Sequence, residues 1–246
     1  EVHNYLKERG YGALCNDLIG VYDDARQIDF DALPAKFAAK ANHGSSWNLI
    51  CKDKHKLVWK DEVRVVNAWL KMNLYFFGRE WNYKNIKPKI VVEKFLEHEP
   101  LNDYKFMCFN GEPLVMQLNN DFEGTHYVDF YELSSWNHLP FTYGIYRRSG
   151  REVEKPPMFD RMMELARQIS KPFPFVRVDF YNYEDVILIG ELTFFPGGGL
   201  LPLNPIETGY DEILGNKLTL PEPNYNLELL NRISKKKGCY ERTYPN

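Results

Sequence analysis

The chain has 246 residues, 44% of them hydrophobic and 15% aromatic, which is enough to bury a substantial core in one domain or two small ones and argues against disorder over most of its length. Its net charge of −3 gives no global basic footprint for nucleic acid, so DNA and RNA are not expected partners. Cys15, Cys51, Cys108 and Cys239 are scattered without C-x-x-C spacing, which disfavours a zinc site or a disulfide framework.

The N-terminal EVHNYLKERG is polar rather than signal-like, and no apolar stretch approaches the roughly 20 residues of a membrane span. A reducing, cytoplasmic setting is the default. The chain starts without Met inside an expected helix at 2–9, so further domains of a longer protein are admitted as partners. The Leu33-Pro34 pair introduces KFAAKAN as an extended segment, and WNLICK at 47–52 returns from the HGSS turn as a second strand. Val65, Ala68, Trp69 and Met72 then recur at helical spacing across 61–72.

From Lys89 the chain turns β-rich. KIVVEKFL is followed by YKFMCFNGEPLVMQL, whose Asn110-Gly111 pair signals a hairpin, and by HYVDFYEL as a further strand. Phe159, Met162, Ala166 and Ile169 mark one face of a helix, after which FVRVDFYN and DVILIGELTFF read as two strands across a polar turn. The last 25 residues read as a helix and a ragged tail. Antiparallel sheets with a few covering helices make the class α+β.

Three constellations bear chemistry. Lys40, followed by Asn42-His43-Gly44-Ser45-Ser46, offers a charge and backbone N–H groups to a polyphosphate; the plain alternative is a hairpin with a surface lysine. Glu93-Lys94-Phe95-Leu96, followed by Asp103 and Lys105, supplies apolar walls for a base and carboxylates for a ribose, although any half-exposed strand alternates in this way. Arg177 and Asp179 share a strand face, as do Glu191 and Thr193 on the next strand. If those faces coincide, two carboxylates suited to Mg²⁺ meet a guanidinium suited to a transferring phosphoryl group; otherwise they form a cross-strand salt bridge. One strand register unites them and a slip of one residue separates them.

In this order the segments resemble the ATP-grasp superfamily, and within it the TupA-like branch of teichuronopeptide biosynthesis. The resemblance rests on IDFDALPAKF, KANHGSSWN, GREWNYKNIKPKI, DYKFMCFNG, PFTYG, FPFVRVDFYN and GELTFFPGGG, spread over residues 1–220. It implies an ATP-grasp fold, two antiparallel-sheet-plus-helix subdomains around the nucleotide, at about 35–95 and 96–220, with 221–246 as a C-terminal helix and tail. It further implies that Lys40 contacts phosphate and that His43, Gly44, Ser45 and Ser46 cover the nucleotide. Glu93, Lys94, Phe95 and Leu96 would hold adenine, Asp103 the ribose, and Lys105 would sit near the phosphates. Asp179 and Glu191 would hold Mg²⁺, with Arg177 at the reacting phosphoryl group and, with Lys40, catalytic. Thr193 stands where many relatives carry a metal-binding Asn, and a phosphate-binding lysine that many relatives place ahead of the first helix is not seen.

The implied activity is an ATP-dependent carboxylate–amine ligase, forming an amide through an acyl phosphate on a uronic acid or another saccharide or small-molecule carboxylate in capsule or cell-wall polysaccharide synthesis. The alternatives are a glycosyltransferase, which would call for a nucleotide-sugar site and usually a D-x-D metal motif at a strand end, and a non-catalytic nucleotide-binding module. Amides in place of Asp179 and Glu191 are expected to leave the fold intact.

Overall fold

The computed structural model describes residues 2–97, 103–122, 124–183 and 185–220. The helix and tail expected at 221–246, and Cys239 with them, lie outside the described residues. In chain order the elements are α1 (Val2–Glu8), β1 (Leu18–Tyr22), β2 (Phe37–Ala41), β3 (Asn48–Cys51), α2 (Trp59–Trp69), α3 (Tyr75–Gly78) and β4 (Ile90–Lys94). There follow β5 (Asp103–Phe109), β6 (Glu112–Phe122), β7 (Thr125–Glu132), β8 (Thr142–Tyr143), α4 (Phe159–Ser170), β9 (Phe175–Tyr183), β10 (Val186–Thr193), β11 (Leu203–Asn204) and α5 (Tyr210–Gly215).

The strands form a four-stranded sheet ordered β1-β4-β2-β3, a five-stranded sheet ordered β10-β9-β5-β6-β7 and a two-stranded ribbon β11-β8, all with antiparallel pairing. In the smaller sheet Phe37, Ala39, Ile90 and Val92 face inward and pack with Val66 of α2. The larger sheet buries Phe106, Met116, Leu118, Val176, Val178 and Phe180 against Phe159, Met162, Leu165, Ala166 and Ile169 of α4 and Leu6 of α1. Because side chains alternate along a strand, this packing turns the other residues of β5, β6, β9 and β10 toward the opposite face. That face carries Lys105, Gln117, Arg177, Asp179, Glu191 and Thr193.

The Asn110-Gly111 turn is as expected: both residues have positive φ, 50° and 84°, and Phe109 pairs with Glu112. Among the described residues no helix is long and apolar enough to cross a membrane.

Candidate functional site

The register between β9 and β10 decides the geometry. From Val186↔Tyr183 to Ile189↔Phe180 the pairing is regular, then it shifts so that Glu191 lies opposite Asp179 and Thr193 opposite Arg177. Gly190 is the inserted residue of this bulge, and a Cβ there would meet the Tyr181 ring at 2.7 Å. Without the bulge Glu191 would fall opposite Val178 and point at α4. On the other side of β9, Lys105 pairs with Asp179 and Asp103 with Tyr181. The sheet thus brings Asp103, Lys105, Arg177, Asp179, Glu191 and Thr193 onto one face.

Asp179 is the hub of the cluster and is 2% exposed. Its carboxylate accepts from Arg177 Nε at 2.7 Å, Arg177 Nη2 at 2.7 Å and Lys105 Nζ at 2.8 Å. Lys105 also donates to Asp103, whose Oδ1 is buried without a hydrogen-bond partner among the described residues. Burial, reinforced by the Asp179 charge, raises the Asp103 carboxyl above the usual carboxylate range. Burial is the largest influence on Lys105 and Arg177 and pulls both down, but Asp179 with Asp103 for the lysine, and Asp179 with Glu191 for the arginine, together outweigh it and both end raised. Glu191 differs from Asp179: its side chain is 48% exposed and 4.0 Å from Arg177 Nη2. Thr193 donates its hydroxyl to Glu191 Oε1 at 2.9 Å and accepts from Arg177 Nη2 at 3.1 Å, so it links the two charges.

A cavity of about 940 Å³ opens beside this cluster, between the two larger sheets. Lys40, Glu93, Lys94, Phe95 and Leu96 line it from one side, and Tyr181, Ile189 and Gly190 from the other. Lys40 Nζ donates to Glu93 Oε2 at 2.8 Å, and His3 approaches Glu93 Oε1 at 3.6 Å. The HGSS turn is not part of the lining. His43 is fully buried, with its ring nitrogens 3.0 Å from Trp69 O and 3.1 Å from Asn42 Oδ1, while Ser45 and Ser46 are exposed. Gly44 lies under the Trp47 ring, which a Cβ would meet at 2.2 Å.

Sequence reasoning missed several residues at the site. Asn119, Asn120 and Asp121 of β6 line the cavity. Glu80 and Tyr83, from the segment after α3, sit close enough to Glu191 and Arg177 to feel their charges; burial first, then Glu191, raises both. That segment touches the glycine run after β10, since a Cβ on Gly198 would lie 2.2 Å from the Gly78 carbonyl oxygen. Tyr143 of the small ribbon also lies near Arg177. No local pattern marks these positions; only chain crossings bring them in. The D-x-D spacing Asp29-Phe30-Asp31 lies in a turn between β1 and β2, not at a strand end, and Asp29 caps the N–H groups of Asp31 and Ala32 at 3.1 and 3.3 Å.

Magnesium suits this donor set. Glu191 offers an open carboxylate, and Asp179 keeps lone-pair capacity beyond its three hydrogen bonds. Among the described residues no group of three or more His, Cys, Asp or Glu could cage a metal alone, and Mg²⁺ is commonly held by one or two carboxylates together with substrate phosphates.

The family model described as TupA-like ATPgrasp matches residues 2–219. Among solved structures, D-alanine--D-alanine ligase from Bacillus anthracis has a TM-score of 0.51 and 16% identity, covering 96% of this chain and 67% of that one. The same ligase complexed with ATP gives a TM-score of 0.51 and 16% identity, with coverages of 96% and 66%. The chain spans about two thirds of those ligases, and at this identity the likeness speaks for the fold. No curated protein matches the sequence.

Proposed function

Because the chain belongs to the TupA-like ATP-grasp family, we propose that it is an ATP-dependent ligase joining a carboxylate to an amine through an acyl phosphate, with ADP and phosphate as products. The fold is the expected α+β arrangement of antiparallel sheets with few helices. The observation that carries the reading is the pairing of Asp179 with Glu191 across a bulged register, beside Arg177 and next to a cavity walled by Lys40 and Phe95.

In this reading the two larger sheets are the halves that enclose ATP, about 35–95 and 96–220. Phe95, Leu96 and Tyr181 provide apolar walls for adenine, with Glu93 and Lys94 at the hinge, and the unpaired Oδ1 of Asp103 accepts from a ribose hydroxyl. Lys40 leaves Glu93 to meet phosphate, with Gly44 to Ser46 closing above, and Lys105 balances charge beneath. When bound, Mg²⁺ neutralises and orients the phosphates. Glu191 and Asp179 would hold it, with Thr193 fixing the Glu191 carboxylate, and Arg177 faces the transferring phosphoryl group. Positioning and charge neutralisation account for most of such a reaction. A uronic acid or other saccharide carboxylate in bacterial capsule or cell-wall synthesis is the acceptor class, an amino acid or small amine the nucleophile, and the ATP-rich cytoplasm the setting.

Millimolar MgATP is expected to raise the melting temperature through mass action. Screening carboxylate and amine pairs for phosphate release, with chromatography of the spent nucleotide, is expected to give ADP. AMP as the main product, or no melting shift with ATP or ADP, would overturn the reading.

A further inference from the structure

Tyr143 presents an unusual combination of burial and lack of a partner. The residue is 6% exposed, its ring packs edge-on against Phe130 at 5.2 Å, and its hydroxyl has no hydrogen-bond partner among the described residues. An orphaned buried hydroxyl costs about 1–3 kcal/mol, so a retained one calls for a reason. Packing does not supply it, because a phenylalanine would fill the same space.

The surroundings do. Tyr143 belongs to the same buried cluster as Met107, the β5 residue opposite Arg177, so it covers the sheet face that carries Arg177, and Arg177 is the foremost charge acting on it, followed by Asp179. Arg177 spends Nε and Nη2 on Asp179 and Thr193, and no hydrogen bond among the described residues uses its Nη1. A phenol and the spare edge of a guanidinium, two donors, thus lie over the same face of the sheet with no acceptor paired to either among the described residues.

Their place along β9 identifies what they would meet. Tyr181 lines the cavity beside Phe95 and Leu96, Asp179 is two residues further on and Arg177 four. At roughly 3.3 Å per residue, Arg177 stands about 13 Å from the base end of the cavity. Tyr143 approaches from the ribbon, whose partner strand follows the glycine run after β10.

We propose that the Tyr143 hydroxyl is a substrate-binding group, donating beside Arg177 to an anionic oxygen at the reacting centre. This rests on the ligase reading. The oxygen belongs either to the transferring phosphoryl group or to the acceptor carboxylate, which share the same demand for two convergent donors.

The test uses Tyr143→Phe and titration calorimetry in three arms: MgADP alone, MgADP with aluminium fluoride as a mimic of the transferring phosphoryl group, and D-glucuronate added to protein saturated with Mg²⁺ and a non-hydrolysable ATP analogue. Wild type and variant are expected to bind MgADP within about twofold of each other, while the variant loses about tenfold in one of the other arms. A loss with aluminium fluoride assigns the phosphoryl oxygen, and a loss with glucuronate assigns the carboxylate. Melting of the variant is expected to be unchanged or higher, because the deleted hydroxyl has no partner to lose. Equal binding in both arms, a wild type that takes MgADP but neither probe, or a variant that melts several degrees lower overturns the proposal. Failure of the wild type to bind MgADP overturns the ligase reading itself.

Discussion

The two larger sheets each carry a carboxylate paired with cations, Glu93 with Lys40 on the cavity wall and Asp179 in the cluster beside it, and the pairs are built differently. On the smaller sheet Lys40 meets Glu93 at 2.8 Å with the lysine side chain 38% exposed, so the pair opens onto solvent and cavity. On the larger sheet Asp179 is 2% exposed and satisfies two cations by three hydrogen bonds. An exposed pair is worth little and its lysine can be lent to a ligand, whereas a buried triad must stay whole or leave a charge uncompensated in low dielectric. Charge on the small sheet is therefore the more mobile of the two, and on the large sheet it is part of the fold.

The largest expected effect follows for Asp179. Replacing it with Asn leaves Arg177 and Lys105 without their common counter-charge, and about 3–5 kcal/mol of stability is expected to be lost. This corrects the expectation from sequence that an amide would be harmless there, which assumed two carboxylates repelling each other in an otherwise open site. Glu191→Gln is the matched control, because its side chain is half exposed and its neighbours are already paired. It is expected to melt within about 0.5 kcal/mol of wild type, yet to lose about 10²–10³-fold in phosphate release. Denaturant melts of both variants check the contrast; a stable Asp179→Asn protein would dissolve it.

The alternation of β9 made much of this site legible, since Val176, Val178 and Phe180 against Arg177 and Asp179 announce a buried face and a polar one. Helix α4 was readable from its spacing for the same reason, and the β5–β6 hairpin from Asn110-Gly111. What could not be read was the register of β10, because an uninterrupted strand would have turned Glu191 toward α4. The Gly190 bulge restores it, and glycine inside a strand is compatible with a bulge without requiring one. Strand β1, with Leu18, Ile19 and Val21 exposed, has no clean alternation and went unseen. Glu80, Tyr83 and Tyr143 reach the cluster only through chain crossings, which local patterns do not record.

A smaller effect is expected where the two regions touch. Gly198 has a φ of 69° and abuts the Gly78 carbonyl, while Gly199 has a φ of 72° and open space where a side-chain methyl would stand. Alanine at either site carries the left-handed strain, of order 1 kcal/mol. Only alanine at 198 must also push away the backbone of the segment bearing Glu80. The difference between Gly198→Ala and Gly199→Ala in thermal melts isolates the contact and is expected to reach about 1–3 kcal/mol. Equal losses would show that the glycine run serves its own turn and not the junction.

The smallest change in stability is expected for Lys40→Ala, and it probes the mobile pair. With the lysine side chain more than a third exposed, solvent screening holds its contribution below about 1 kcal/mol. Glu93 keeps His3 at 3.6 Å as a second partner, which further limits the loss. Binding is a separate matter: with the lysine gone, the Glu93 carboxylate remains on the cavity wall and repels the phosphates that Lys40 would otherwise hold. The dissociation constant for MgATP is expected to rise about tenfold, the equivalent of one charge-assisted hydrogen bond. Lys40→Ala,Glu93→Gln removes the repulsion as well as the lysine, so it is expected to recover part of that loss in titration calorimetry. If the single variant binds MgATP normally while melting several kcal/mol below wild type, Lys40 is as structural as Asp179 and the two sheets do not differ in the way described.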